Sequence, residues 1–217
     1  GSYILEFLPD EPYASEFWQN SSTSSGATVI TLTQGQELTG INPVVSVGAK
    51  ISGTVKNSDN GTVSGSGYVY DQQGNEITDS FFYINDDGTY QTRRLPPGSY
   101  KLLFQPDDPY LEEYWGDSAT LSSATAITLT QGQQRTGMNP IVDLGATISG
   151  RVTNANNEPV SGQVFVYDEN DDYIHMVYFE DGDYTTRGLP PGSYTLEFMP
   201  ESPYVSEYWQ NSTTWVG

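Results

Sequence analysis

Ile30-Thr31-Leu32-Thr33-Gln34-Gly35-Gln36 is written a second time in this chain, as Ile127-Thr128-Leu129-Thr130-Gln131-Gly132-Gln133. Each copy alternates aliphatic and hydroxyl side chains and then halts at a glycine. That is the pattern of a strand with one buried face running into a turn. The duplication spreads outward from there. Gly1-Ser2-Tyr3 recurs as Gly98-Ser99-Tyr100 and Gly192-Ser193-Tyr194, and Phe17-Trp18 as Tyr114-Trp115 and Tyr208-Trp209. Gly48-Ala49-Lys50-Ile51-Ser52-Gly53 returns as Gly145-Ala146-Thr147-Ile148-Ser149-Gly150. Self-similarity at a period of about 95 residues identifies an array of domains.

The phase of the repeat divides the chain into three. Residues 1–46 are the C-terminal half of one repeat, 47–142 are a complete repeat, and 143–217 are a repeat lacking its final strand region. Residues 1–20 also duplicate 192–211, so the sequence reads as a window on a longer array.

Within a repeat the period is two. Ile148, Gly150 and Val152 alternate with Ser149, Arg151 and Thr153; Val164 and Val166 with Phe165 and Tyr167; Tyr194, Leu196 and Phe198 with Thr195 and Glu197. Turn signals separate these runs: Asn60-Gly61, Asp87-Gly88, Pro96-Pro97-Gly98, Asp181-Gly182 and Pro190-Pro191-Gly192. No long stretch has helical periodicity. About seven short, regularly punctuated strands per repeat predict an all-β, two-sheet sandwich. Tyr100, Leu102, Phe104 and Ile127 are the expected anchors of its core, each contributing about 1.5–3 kcal/mol when fully buried.

Composition narrows the function. The chain has no cysteine and one histidine, which excludes disulfide frameworks, Cys-based sites and multi-His metal centres. A formal charge of −20 with only 8 Lys and Arg excludes a phosphate-binding surface and hence a nucleic-acid partner. No apolar run is long enough for a membrane-spanning segment, and no signal-peptide pattern opens the sequence. His175 stands where the complete repeat has Thr78, so it reads as an incidental strand or turn residue and not as a catalytic one. No pair of carboxylates can be assigned to a cleft, and the chain is expected not to be an enzyme.

Several of these segments together resemble the carboxypeptidase regulatory-like domains, which have a prealbumin-like (transthyretin-like), Ig-like β-sandwich. They are Ala146-Thr147-Ile148-Ser149-Gly150-Arg151-Val152, Pro159-Val160-Ser161-Gly162, Val164-Phe165-Val166-Tyr167-Asp168, Asp181-Gly182-Asp183-Tyr184-Thr185 and Gly188-Leu189-Pro190-Pro191-Gly192-Ser193-Tyr194. The resemblance implies tandem seven-stranded modules without catalytic residues, serving as spacers or stalks of secreted and cell-surface proteins. Related collagen-adhesin domains carry a Lys–Asn crosslink promoted by a buried acid. Lys50 is matched by Thr147, and Glu6 and Glu197 by Leu103, so a crosslink common to all repeats is not expected.

Three sets of residues are candidate sites. Asp168, Asn170 and Asp172 have the spacing that begins a calcium loop, and calcium is the one cofactor the sequence admits. Tyr173 then replaces the loop glycine and Phe179 its closing acid, which favours a solvated hairpin turn. Tyr114, Trp115, Tyr208 and Trp209 form a second set. Adjacent residues of a strand point to opposite faces, so one of each pair lies at a rim, open to a neighbouring domain or to a glycan. Asn20, Asn60 and Asn211 fit the N-glycosylation pattern.

The leading functional expectation is an extracellular stalk or filament whose repeats join head to tail. Val142-Asp143-Leu144-Gly145 is nearly the whole linker, which restricts hinge motion. The open sheet edge of the last repeat is expected to take residues 27–45 of another copy by strand addition. The competing arrangement is a continuous polypeptide of many repeats. An adhesin holding glycans through its aromatics is the alternative function.

Overall fold

A computed structural model describes residues 1–209. Every regular element among them is a β-strand, and none is a helix long and apolar enough to cross a membrane. Two compact units form. Unit 1 comprises Gly1–Asp107 with Glu112–Asp143, and unit 2 comprises Asp108–Leu111 with Leu144–Gly217.

Unit 1 contains the complete repeat. Its strands run Lys50–Thr54, Lys56–Asn57, Gly65–Asp71, Phe82–Ile84, Thr89–Gln91, Gly98–Pro106, Glu113–Tyr114, Ile127–Leu129, Gln134–Arg135 and Ile141–Val142. Most join one eight-stranded sheet. Gly98–Pro106 is its spine, antiparallel to Gly65–Asp71 from Tyr100↔Asp71 to Pro106↔Gly65. Its other edge carries Glu113–Tyr114 and Ile127–Leu129. In ladder order, two strands lie between Gly98–Pro106 and Thr89–Gln91. Yet the Phe104 and Tyr90 rings are 5.2 Å apart, far less than the ~14 Å that three flat strand spacings would give. The sheet therefore folds over on itself and closes as a sandwich. Phe82 fills the fold, stacked on Tyr90 at 5.1 Å and edge-on to Phe104 at 6.0 Å. Gly67 makes room for it, since a Cβ there would lie 2.3 Å from the Phe82 ring.

The expected anchors are all interior: Tyr100, Leu102, Phe104 and Ile127 are buried with Ile51, Val55, Val69 and Leu95. The first and last strands of the repeat are more broken than the alternation suggests. Val55 turns its N–H to Gly88 O, interrupting the first strand, and Pro140 has no N–H with which to continue the last.

The half-repeat 1–46 packs within the same unit. Gly48 N donates to Pro12 O at 2.9 Å and Ala14 N to Ser46 O at 3.0 Å. Glu11 reaches Arg94 at 3.3 Å and Lys50 at 3.7 Å, and these cations hold its carboxyl below the usual range. The Glu11-Pro12, Asp108-Pro109 and Ser202-Pro203 peptides are all cis.

Unit 2 repeats the plan. Tyr173–Phe179, Gly162–Tyr167, Thr195–Pro200 and Glu207–Tyr208 form a four-stranded sheet, and Ser149–Arg151 pairs with Asp183–Thr185. Val164, Val166, Phe179, Tyr184, Leu189, Leu196 and Phe198 make its core, with Ile148 and Val152 packed against it. Gly145 N donates to Pro109 O at 2.9 Å, the counterpart of Gly48 and Pro12 in unit 1.

Candidate functional site

The end of the complete repeat lies parallel to its beginning. Gln134 and Arg135 pair with Lys50 and Ile51, and Ile141 and Val142 with Lys56 and Asn57. Between those ladders lies Gly137-Met138-Asn139-Pro140, where a proline forbids regular pairing. Side chains take over there. Thr54 N donates to Asn139 Oδ1 at 2.9 Å, and the buried Tyr90 hydroxyl donates to Met138 O at 2.7 Å. Met138 N donates to Ser52 O at 3.2 Å, and Lys56 N to Pro140 O at 3.1 Å. Gly53 lets the two backbones meet, since a Cβ on it would lie 1.9 Å from Met138 O. Met138, Pro140 and Val142 are buried by this contact. This closing segment completes the sandwich.

Unit 2 has the receiving half of the same arrangement. Ser149, Gly150, Arg151, Thr153 and Tyr184 correspond to Ser52, Gly53, Thr54, Lys56 and Tyr90. Among the described residues no strand lies on the outer edge of Ser149–Arg151. Ile51 and Val55 are fully buried, whereas Ile148 and Val152 are half-buried and Ser149–Arg151 are exposed. A groove of about 380 Å³ runs along this edge, lined by Ser149–Thr153, Tyr184, Phe198 and Trp209 among others.

The half-repeat of unit 1 has the complementary half. Gly40-Ile41-Asn42-Pro43-Val44-Val45 corresponds to Gly137-Met138-Asn139-Pro140-Ile141-Val142. It joins no strand among the described residues, and Leu38 and Val44 are exposed. Gly40, and Gly35 ahead of it, share the positive φ of their counterparts in the complete repeat. Gly35 and Gly40 have φ of 75° and 83°, against 69° and 74° at Gly132 and Gly137.

The other sequence candidates fall elsewhere. Asp168 closes a hairpin: its Oδ1 accepts from Asn170 N at 2.8 Å and Asp172 N at 2.9 Å. Those backbone bonds lower its carboxyl from the ordinary value. Asp71 does the same work in unit 1 toward Asn75, at 2.8 Å. Among the described residues no three acidic, His or Cys side chains gather as a metal cluster. Tyr114 and Trp115 are both half-buried. Their backbone is fixed by Trp115 N donating to Leu102 O at 2.9 Å, a bond repeated by Trp18 with Leu5 and Trp209 with Leu196. Tyr208 is half-buried, and Trp209 is 63 % exposed beside the groove. Asn20 and Asn60 are exposed turn residues with φ of 65°, while Asn211 lies outside the described residues. Lys50 donates to Gln91 Oε1 at 3.0 Å, and Glu197 accepts from the Tyr167 hydroxyl at 3.0 Å.

Two ionisable groups are drawn out of solvent: Glu113 is half-buried and carries no mark of burial in the sequence pattern, and His175, read above as an incidental strand or turn residue, is buried. Glu113 precedes the Tyr-Trp pair, as Glu16 and Glu207 do in the other copies. Burial first, then the charges of Asp117 and Asp143, push its carboxyl up to about 7. His175 is buried on its strand opposite Val166, with both ring nitrogens lacking a partner among the described residues. Burial and Arg187 lower its pKa against an opposing pull from Asp108.

No family model matches the chain, and neither does any curated protein. Among solved structures, a streptococcal ancillary pilin is 15 % identical with a TM-score of 0.39, over 100 % of this chain and 68 % of its own. The Bacillus anthracis TIE protein is 15 % identical with a TM-score of 0.36, over 98 % of this chain, which spans 39 % of that one. A DUF3823 family protein from Bacteroides ovatus is 14 % identical with a TM-score of 0.30, over 74 % and 95 %. Likeness at this level carries no functional argument, so the chain's own geometry must supply it.

Proposed function

We propose that this chain is a non-catalytic structural segment of an extracellular, cell-surface stalk or filament, in which β-sandwich repeats are completed head to tail by strands from their neighbours. One observation carries the reading: the complete repeat is closed by a parallel segment at its own end, and among the described residues the matching edge of unit 2 pairs with no strand and residues 40–45 join none. The recurrence of the Pro12–Gly48 hydrogen bond as Pro109–Gly145 supports a design repeated from one repeat to the next.

Electron microscopy of the purified 217-residue chain at rising concentration tests this. Unbranched filaments that lengthen with concentration are expected, while isolated compact particles throughout would contradict the reading. The adhesin alternative draws on the exposed Trp209 ring. A glycan array distinguishes it, because a filament segment gives no glycan signal that Trp115→Ala or Trp209→Ala removes.

A further inference from the structure

The groove of unit 2 has lining chemistry that specifies its occupant. Closing a sheet edge with an arbitrary strand requires only backbone groups, but this edge is equipped for a strand that contains a proline. In the complete repeat Pro140 cannot pair regularly, and the preceding asparagine supplies the missing acceptor to Thr54 N through its side chain. The tyrosine hydroxyl reaches the carbonyl just before that asparagine. A glycine beneath lets that carbonyl come close. All three receiving features persist in unit 2, as Arg151 N, the Tyr184 hydroxyl and Gly150. Arg151 leaves its backbone edge clear, its guanidinium being turned to Asp183 at 2.7 Å.

We infer that this groove captures Gly40-Ile41-Asn42-Pro43-Val44-Val45 of a second copy, parallel to Ser149–Thr153, and selects it by its Asn-Pro pair. This rests on the head-to-tail reading above and names its recognition site. By register with the complete repeat, Ile41 N donates to Ser149 O and Arg151 N to Asn42 Oδ1. The Tyr184 hydroxyl donates to Ile41 O, and Thr153 N to Pro43 O. Ile41, Pro43 and Val45 bury the faces that Met138, Pro140 and Val142 bury in unit 1. Gly40 already has the positive φ of Gly137 in the closed repeat, so that residue needs little rearrangement on capture, which lowers the ordering cost.

A labelled peptide of residues 36–46, titrated into the full chain and followed by fluorescence anisotropy, tests the inference. The receiving chain is Asn42→Ala, so that its own segment does not compete. Saturable one-to-one binding is expected, with about a three- to tenfold loss when the peptide carries Asn42→Ala, because the Arg151 N–H then loses its acceptor. Adding Gly150→Ala to the receiving chain is expected to cause a loss at least as large. The new methyl first meets the Tyr184 ring, at 3.0 Å, and an unchanged melt of unit 2 shows that the variant still folds. No saturable binding, or binding indifferent to both substitutions, overturns the inference. Filaments formed by a chain that ignores the peptide would overturn the inference alone. Specific peptide capture without filaments would overturn the filament reading and leave the recognition standing.

Discussion

Glu113 shows how one side chain can be placed against its own chemistry. With its folded pKa raised to about 7 from an ordinary 4.5, the folded repeat favours the neutral acid. The folded state therefore binds more protons than the unfolded chain between those values. Glu113 helps stability below about pH 4.5, and that help is lost as pH rises through 7. Glu113→Gln is expected to raise the melting temperature of unit 1 at pH 8 by ~3 °C, about 1 kcal/mol after solvent screening of a half-exposed site. At pH 4.5 the two proteins should melt alike, as calorimetry at the two pH values would show. The sequence displays the recurrence of this glutamate but not its burial. In an isolated two-residue strand the period is too short to say which face it takes.

At the scale of the element, the closing segment is where reading and structure part. The strands around Ile127–Leu129 and Val164–Val166 are legible, because alternation and one buried face leave a single consistent register, and Tyr100–Phe104 keeps that register although Leu103 is buried as well. Gly137-Met138-Asn139-Pro140 breaks that alternation and has the residues of a turn. Its parallel course along the first strand is held by an amide side chain and a tyrosine hydroxyl, contacts that no periodicity encodes. The sequence marks 143–217 as a repeat lacking its final strand region, yet Asn42, Tyr184 and Gly150 do not stand out as its recognition groups. They become visible only when the complete repeat is laid over the other two. The same contrast predicts stability. Asn139→Ala removes the protein acceptor of the Thr54 N–H and is expected to destabilise unit 1 by about 0.5–1 kcal/mol in denaturant melts. Asn42→Ala, in the unpaired copy, is expected to leave the melt of the dilute chain unchanged.

Across the whole molecule, repetition is the leading feature. A chain with a charge of −20 repeats one joint, Pro12–Gly48 and Pro109–Gly145, and closes its complete repeat with its own end. Self-repulsion of so acidic a surface opposes random aggregation, so association must come from a specific contact. The exposed edge of unit 2 would otherwise be an aggregation hazard, and its requirement for an Asn-Pro strand limits what can add there.

Hydrogen–deuterium exchange on the dilute Asn42→Ala chain, resolved to single amides, tests the central claim that one repeat is closed and the other open. Thr54 and Lys56 should be protected, while their counterparts Arg151 and Thr153 exchange at least about tenfold faster and become protected when the 36–46 peptide is added. Equal protection of both pairs in the absence of peptide would contradict the account.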